Sequence, residues 1–253
     1  MQLFYNKDIV AGGWCTLDAE ESRHAVRVLR LREGDELHVT DGCGNLYHCR
    51  IVQVESGKCM VESVANETAA FNSQLSTFNC HLAVAPTKNP SRMEWLVEKA
   101  VEIGVGEITL LDCDHSERTF LKTDRLEKLA VSAMKQSLRT VLPKINPPVK
   151  LSDWLHSMCT EHLTLNTEHS PLNTQKFIAH CEADQPRTPL AAALQPGRDA
   201  VILIGPEGDF SEEEIALALK CGFQPVSLGP ARLRTETAAL YAVTAFNLIN
   251  ERT

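Results

Sequence analysis

The 253-residue chain is 43% hydrophobic and 23% charged, the balance of a folded globular protein with room for one large domain or two smaller ones. No apolar run approaches the roughly 18 residues that span a bilayer, and Met1–Tyr5 lacks the basic start and long apolar stretch of a secretion signal, so the expected location is cytoplasmic. A formal net charge of −8 excludes a generally cationic nucleic-acid binder, and any such surface must be local and its target a defined site.

In chain order, a helix is expected over Ala19–Val28, followed by short strands at Glu36–Asp41, Leu46–Val54 and Lys58–Val64, with turns at Gly34-Asp35, Gly42–Asn45 and Ser56-Gly57. Closely spaced short strands predict a small β-barrel domain. Four of its seven basic residues lie between Arg23 and Arg32, and alone they read equally as the solvated face of an amphipathic helix. Ala65–Ser76 is small and polar and reads as a linker. Beyond it, strands (Phe78–Ala85, Glu107–Leu111, Lys176–Cys181) alternate with helices (Ser91–Ile103, Thr123–Leu138, Arg187–Leu194). That alternation predicts a parallel sheet with helices on its faces. Between Pro143 and Pro171 only a short helix near Ser152–Ser157 is legible.

The nine cysteines contain no CxxC pair, which predicts reduced, buried thiols instead of a disulfide framework. His38, Cys43, His48 and Cys49 fall close together without standard ligand spacing. Alternating strand positions explain them, and no metal is expected.

Val201–Ile215 (VILIGPEGDFSEEEI) reads as a buried strand, a sharp turn at Gly205-Pro206-Glu207-Gly208, and a helix opened by the capping box Ser211/Glu214. Leu228–Glu236 (LGPARLRTE) repeats the design, with a Gly229-Pro230 turn before a helix starting at Thr235. Two glycine turns at the carboxyl ends of strands mark a place where a ligand can rest on backbone, although either alone is also an ordinary βα connection. The last helix, Thr235–Asn250, is apolar almost all round, which suits a central core helix or a subunit interface.

GPEGxFS followed by LGxxxLRxETA resembles the signature of the SPOUT methyltransferases, and within them the 16S ribosomal RNA uridine-N3 methyltransferases (the RsmE family). His24, Val28-Leu29-Arg30, Gly34 and Asp35 also match that family's HxxxVLRxxxGD segment, and Gln136-Ser137-Leu138-Arg139 its QSxR motif. The resemblance implies a PUA-like RNA-binding β domain at residues 1–70 and a SPOUT domain at 71–253, whose knotted parallel sheet with helices on both faces ends in a C-terminal trefoil knot. It also implies S-adenosyl-L-methionine as cofactor, a homodimer, and methylation of a uridine of 16S rRNA in the small ribosomal subunit. Two departures stand out: no arginine lies in Met1–Tyr5, and Asp209 occupies a position where the family frequently has glycine.

Methyl transfer needs alignment of nucleophile and methyl group above all. Leu203, Gly205, Gly208, Leu228, Gly229 and Leu233 are the expected cofactor-binding residues. A weakly acidic uracil N3–H calls for a base or for a group that stabilises charge on the uracil oxygens. Glu207 and Glu236 are candidates for the first role and Arg234 for the second, and these three form the candidate catalytic set. Arg23, His24, Arg27, Arg30, Lys88 and Arg139 are the expected RNA contacts. A ribose 2′-hydroxyl methyltransferase and a non-catalytic RNA-binding assembly factor remain as alternatives.

Overall fold

The computed structural model describes residues 1–68, 78–118, 121–160, 174–182 and 186–251. It divides into two units, Met1–Leu75 with Val131–Leu142, and Ser76–Ala130 with Pro143–Thr253.

In the first unit, β1 (Leu3–Tyr5), β2 (Trp14–Thr16), β3 (Glu36–Thr40), β4 (Leu46–Glu55) and β5 (Lys58–Asn66) form one sheet in the order β1-β3-β4-β5-β2. β1 and β2 were not legible in the sequence, because three-residue strands carry too little periodicity to register. β1 pairs with β3 in parallel and the remaining pairs are antiparallel. Two register shifts between β4 and β5 curl the sheet over its core. Phe4, Leu17, Ala25, Val39, Ile51 and Val61 fill that core. Helix α1 (Ala19–Arg23) is capped by Asp18, whose carboxylate accepts the Glu21 N–H at 2.8 Å, a contact of about 1 kcal/mol. It widens into a π-type turn over His24–Val28. Val131–Leu142 joins this unit through Thr140, whose carbonyl accepts from Thr40 Oγ1 and Gly44 N, and through a buried ion pair between Lys135 and Glu21.

The second unit is built on a fully parallel sheet of β6 (Cys80–Val84), β7 (Glu107–Asp112), β8 (Lys144–Lys150), β9 (Gln175–Ala179), β10 (Thr188–Pro189), β11 (Ala200–Ile204) and β12 (Gln224–Ser227). The order is β10-β12-β9-β11-β6-β7-β8. Central β11, AVILI, is buried along its whole length, as a strand covered on both faces requires. Ala83, Ile178 and Leu203 point to the face covered by α4 (Leu151–Thr160) and α6 (Glu212–Lys220). On the opposite face α2 (Pro90–Ile103) and α7 (Thr235–Asn250) pack on each other, and α7 also packs on β6 and β11. Asn89 caps α2, Gly104 ends it in the left-handed region, and the expected Ser211/Glu214 capping box opens α6. Helix α3 (Thr123–Gln136) buries Leu126, Ala130 and Ala133.

Several expectations need correction. Lys144–Lys150 is a strand despite Pro147-Pro148. It lies at the sheet edge, where a missing N–H need not break a ladder. Arg187–Leu194 is mainly a two-residue strand and a one-turn helix, α5 (Leu190–Ala193). The Ala65–Ser76 linker falls largely outside the described residues; its start, to Asn66, belongs to β5. Finally, Cys159 and Cys221 form a disulfide. Sequence spacing did not signal it, because a sequence separation of 62 is closed only by the packing of α4 on α6. The free thiols of Cys49 and Cys80 are buried, and burial pushes both up to about 12.

Candidate active site

Three neighbouring strands, β12, β9 and β11, end together, and a cavity of about 330 Å³ opens between their carboxyl-end loops. Open parallel sheets place ligands there. A second cavity of about 710 Å³ lies at the strands' amino ends, lined by His81, Glu107, Asn146 and Lys176. It is larger, but its His81, Glu107, Thr109 and Asn146 side chains satisfy one another, so the carboxyl-end cavity is the better candidate.

Its first wall is the β11–α6 loop. Gly205 sits in a tight contact: an added Cβ would lie 3.1 Å from the Phe210 ring, which would have to shift by a few tenths of an ångström. Thr235 Oγ1 donates to the Gly205 carbonyl at 3.1 Å and so fastens the start of α7 to this loop. Asp209 sits in the left-handed region (φ 65°), where glycine is favoured. Its carboxylate holds it there by accepting the Phe210 N–H at 2.9 Å and the Cys181 N–H at 2.6 Å.

The second wall is the β12–α7 loop. Gly229 turns with φ 106°, and Leu228, Leu233, Arg232 and Arg234 line the cavity beyond it. Arg234 is the N-cap residue of α7, is exposed, and lines the cavity. The third wall follows β9, with His180, Cys181 and Arg187. Burial lowers the His180 pKa, partly offset by the nearby Asp209 charge; burial, followed by Asp209, raises that of the Cys181 thiol.

Of the nine residues expected for cofactor and catalysis, the structure brings Gly205, Glu207, Leu228, Gly229, Leu233 and Arg234 to this cavity. Leu203 lies instead in the sheet's core, and Gly208 lies off the cavity wall against His115. Glu236 is buried at the first turn of α7, also off the wall. One of its oxygens is 3.7 Å from Arg92 Nε, and the other is buried with no hydrogen-bond partner among the described residues. Glu207 is exposed, and its carboxylate accepts the Lys88 N–H at 3.1 Å. Sequence reading missed His180, Cys181 and Arg187, because nothing in one sequence shows that the end of β9 meets the two glycine turns. Strand order alone reveals that.

Among the expected RNA contacts, Arg23, Arg27 and Arg30 are exposed and make no ion pair among the described residues, whereas His24 is half-buried with its ring 5.6 Å from that of Phe4. Gly34 and Asp35 form a turn, in which Asp35 accepts the Arg32 N–H at 2.7 Å. Lys88 is exposed and paired with Glu117 at 2.6 Å. Arg139 is half-buried within the first unit. His38 and His48 stack at 5.2 Å, each beside a carboxylate, and no group able to hold a metal ion occurs among the described residues.

Fold and cavity together define a parallel α/β domain with a cavity at its strand ends, accompanied by a small β unit. Residues 74–247 match the model of an RNA methyltransferase domain and residues 17–62 that of an RNA methyltransferase PUA domain. Ribosomal RNA small subunit methyltransferase E of Buchnera aphidicola is 30% identical over 90% of this chain and 85% of its own. A probable rRNA-methyltransferase of Porphyromonas gingivalis is similar at 38% identity and a TM-score of 0.84, covering 99% of this chain and 98% of that one. The ribosomal RNA small subunit methyltransferase E of Neisseria gonorrhoeae, solved bound to S-adenosyl methionine, is 25% identical with a TM-score of 0.78, covering 99% and 98%. The chain belongs to the RNA methyltransferase family that contains these ribosomal RNA small subunit methyltransferase E proteins, and its β unit is the PUA-like domain of that family.

Proposed function

We propose that the chain is an S-adenosyl-L-methionine-dependent methyltransferase acting on N3 of one uridine of 16S rRNA, presented by the small ribosomal subunit in the cytoplasm. The observation that carries this reading is the cavity itself: loops after β11, β12 and β9 enclose about 330 Å³, within the range of small-ligand sites, and set Arg234 on its wall. Relatives named for rRNA methylation, one solved with S-adenosyl methionine, support it.

The cavity suits the cofactor. Gly229 leaves backbone open to close approach, Gly205 lines the wall beside it, Leu228 and Leu233 supply apolar walls, and arginines and carboxylates stand ready for a zwitterionic end. When bound, the cofactor supplies an electrophilic methyl group. The chain's own task is then to align uracil and to favour loss of its N3 proton. Arg234 sits where a guanidinium can stabilise negative charge developing on the uracil oxygens. Glu236 lies two residues on and is the nearest buried carboxylate on α7; it holds Arg92 and is the candidate proton acceptor. Glu207 serves chiefly as a clamp on the Lys88 backbone.

This reading assigns residues 1–70 to RNA binding through Arg23, His24, Arg27 and Arg30, and residues 71–253 to the SPOUT domain with its C-terminal knot; Lys88 and Arg139 complete the RNA contacts. Trp95 on α2 and Tyr241 and Leu248 on α7 are exposed on two helices that pack together, and we assign this surface to a homodimer interface. The test is incubation of undermethylated small subunits with enzyme and labelled cofactor, followed by mass spectrometry of the nucleosides. Label in 3-methyluridine supports the reading; label on ribose, cytidine or guanosine, or none, overturns it.

A further inference from the structure

His180 lines the cavity directly after β9, and its side chain is almost wholly enclosed, with the residue only 4% exposed. Its Nδ1 accepts the backbone N–H of Glu182 at 3.2 Å. In the neutral ring an acceptor at Nδ1 leaves the proton on Nε2. Nε2 is buried and has no hydrogen-bond partner among the described residues. Buried donors are rarely left unpaired, because the bond lost with water is not replaced.

Ala179, the preceding residue, is registered with Ile204 on one side and Val226 on the other, so His180 stands at the carboxyl ends of the three strands, with the charges of Asp209, Arg187 and Glu182 nearby. The charged arginines, Arg232 and Arg234, are exposed by contrast. A buried neutral donor suits a neutral acceptor; a carboxylate placed there would lose its hydration for one hydrogen bond.

We infer that His180 is a cofactor-binding residue: its Nε2–H donates to an acceptor of the cofactor's adenosine moiety, a ring nitrogen or a ribose oxygen. The inference rests on reading this cavity as the cofactor site, and its test separates the two. His180→Phe removes the donor but keeps an aromatic ring of similar bulk, whereas His180→Gln keeps an N–H at a comparable reach. Calorimetry with S-adenosylhomocysteine should show Kd raised by about tenfold in His180→Phe, the scale of one lost neutral hydrogen bond, and raised less in His180→Gln. Analogues of S-adenosylhomocysteine lacking single adenine ring nitrogens or ribose hydroxyls identify the acceptor. The analogue without it binds wild type more weakly and loses nothing further in His180→Phe.

Nitrogen-15 imidazole NMR of the wild-type protein requires no variant. It should show a neutral ring protonated at Nε2, whose Nε2–H resonance shifts downfield when S-adenosylhomocysteine is added. Equal affinity of wild type and His180→Phe, or an Nε2–H resonance unmoved at saturation, overturns the inference while leaving the cavity as the cofactor site. Absence of wild-type binding overturns both.

Discussion

The Asp209 carboxylate accepts the Cys181 backbone N–H at 2.6 Å and so ties the β11–α6 loop to the end of β9 across the cavity rim. This bond also explains how a non-glycine residue tolerates φ 65° in the turn: the side chain compensates for what the backbone loses. Asp209→Ala keeps the strain and loses the bonds, so it should lower unfolding free energy by about 2 kcal/mol, the scale of hydrogen bonds to a charged group. Asp209→Gly loses the bonds but relieves the strain and should cost about 1 kcal/mol less than the alanine variant. Urea unfolding of the two variants checks the order; equal losses would show that the backbone at Asp209 is unstrained.

Gly208 is held to glycine by a neighbouring residue. A Cβ there would lie 2.9 Å from His115 Cβ, an atom fixed to the backbone and unable to swing aside. We expect Gly208→Ala to destabilise the protein by about 1–3 kcal/mol, as overpacking does, and His115→Gly to recover part of that loss in the double variant. A double-mutant cycle with no coupling between the two positions would refute the clash.

The contrast between Gly208 and His180 shows what one sequence can carry. Local chemistry was legible: the Ser211/Glu214 capping box, the Gly205 and Gly229 turns, and the β11 run all depend on residues within a few positions of one another. Residues from different loops were not. Gly208 is legible as part of a glycine turn, but its contact with His115 is not, because His115 belongs to a loop distant in sequence. His180 was overlooked because its significance comes from β9 lying between β11 and β12, an order fixed by non-local pairing. The Pro147-Pro148 strand and the Cys159–Cys221 disulfide escaped for the same reason, since edge position and packing across 62 residues leave no local pattern.

For RNA, Arg27 and Arg30 are exposed and unpaired among the described residues, in the one dense basic segment of the first unit. Reversing both to Glu should weaken binding to small-subunit rRNA and flatten the dependence of log K on log salt by about 1–2, given roughly 0.7–0.9 per phosphate contact. Cofactor affinity should stay unchanged. Binding curves at several salt concentrations decide the matter; an unaltered slope would make this surface structural.

The proposed homodimer would use the outer surface of α2 and α7. A self-complementary interface through Trp95, Tyr241 and Leu248 predicts a mass about twice 28.0 kDa by light scattering, and Tyr241→Glu should shift the population toward monomer. A wild-type monomer at micromolar concentration would contradict it.

Arg234 carries the chemical proposal, because it lines the cavity and is exposed at the start of α7. The most direct measurement is single-turnover methyl transfer to undermethylated small subunits by wild type and Arg234→Ala, with S-adenosylhomocysteine affinity measured alongside. The account predicts a rate lower by about 10²–10³, the typical cost of losing one such stabilising group, cofactor affinity nearly intact, and little rescue by Arg234→Lys, which lacks the planar fork. Full transfer rates in Arg234→Ala on bound cofactor would contradict it.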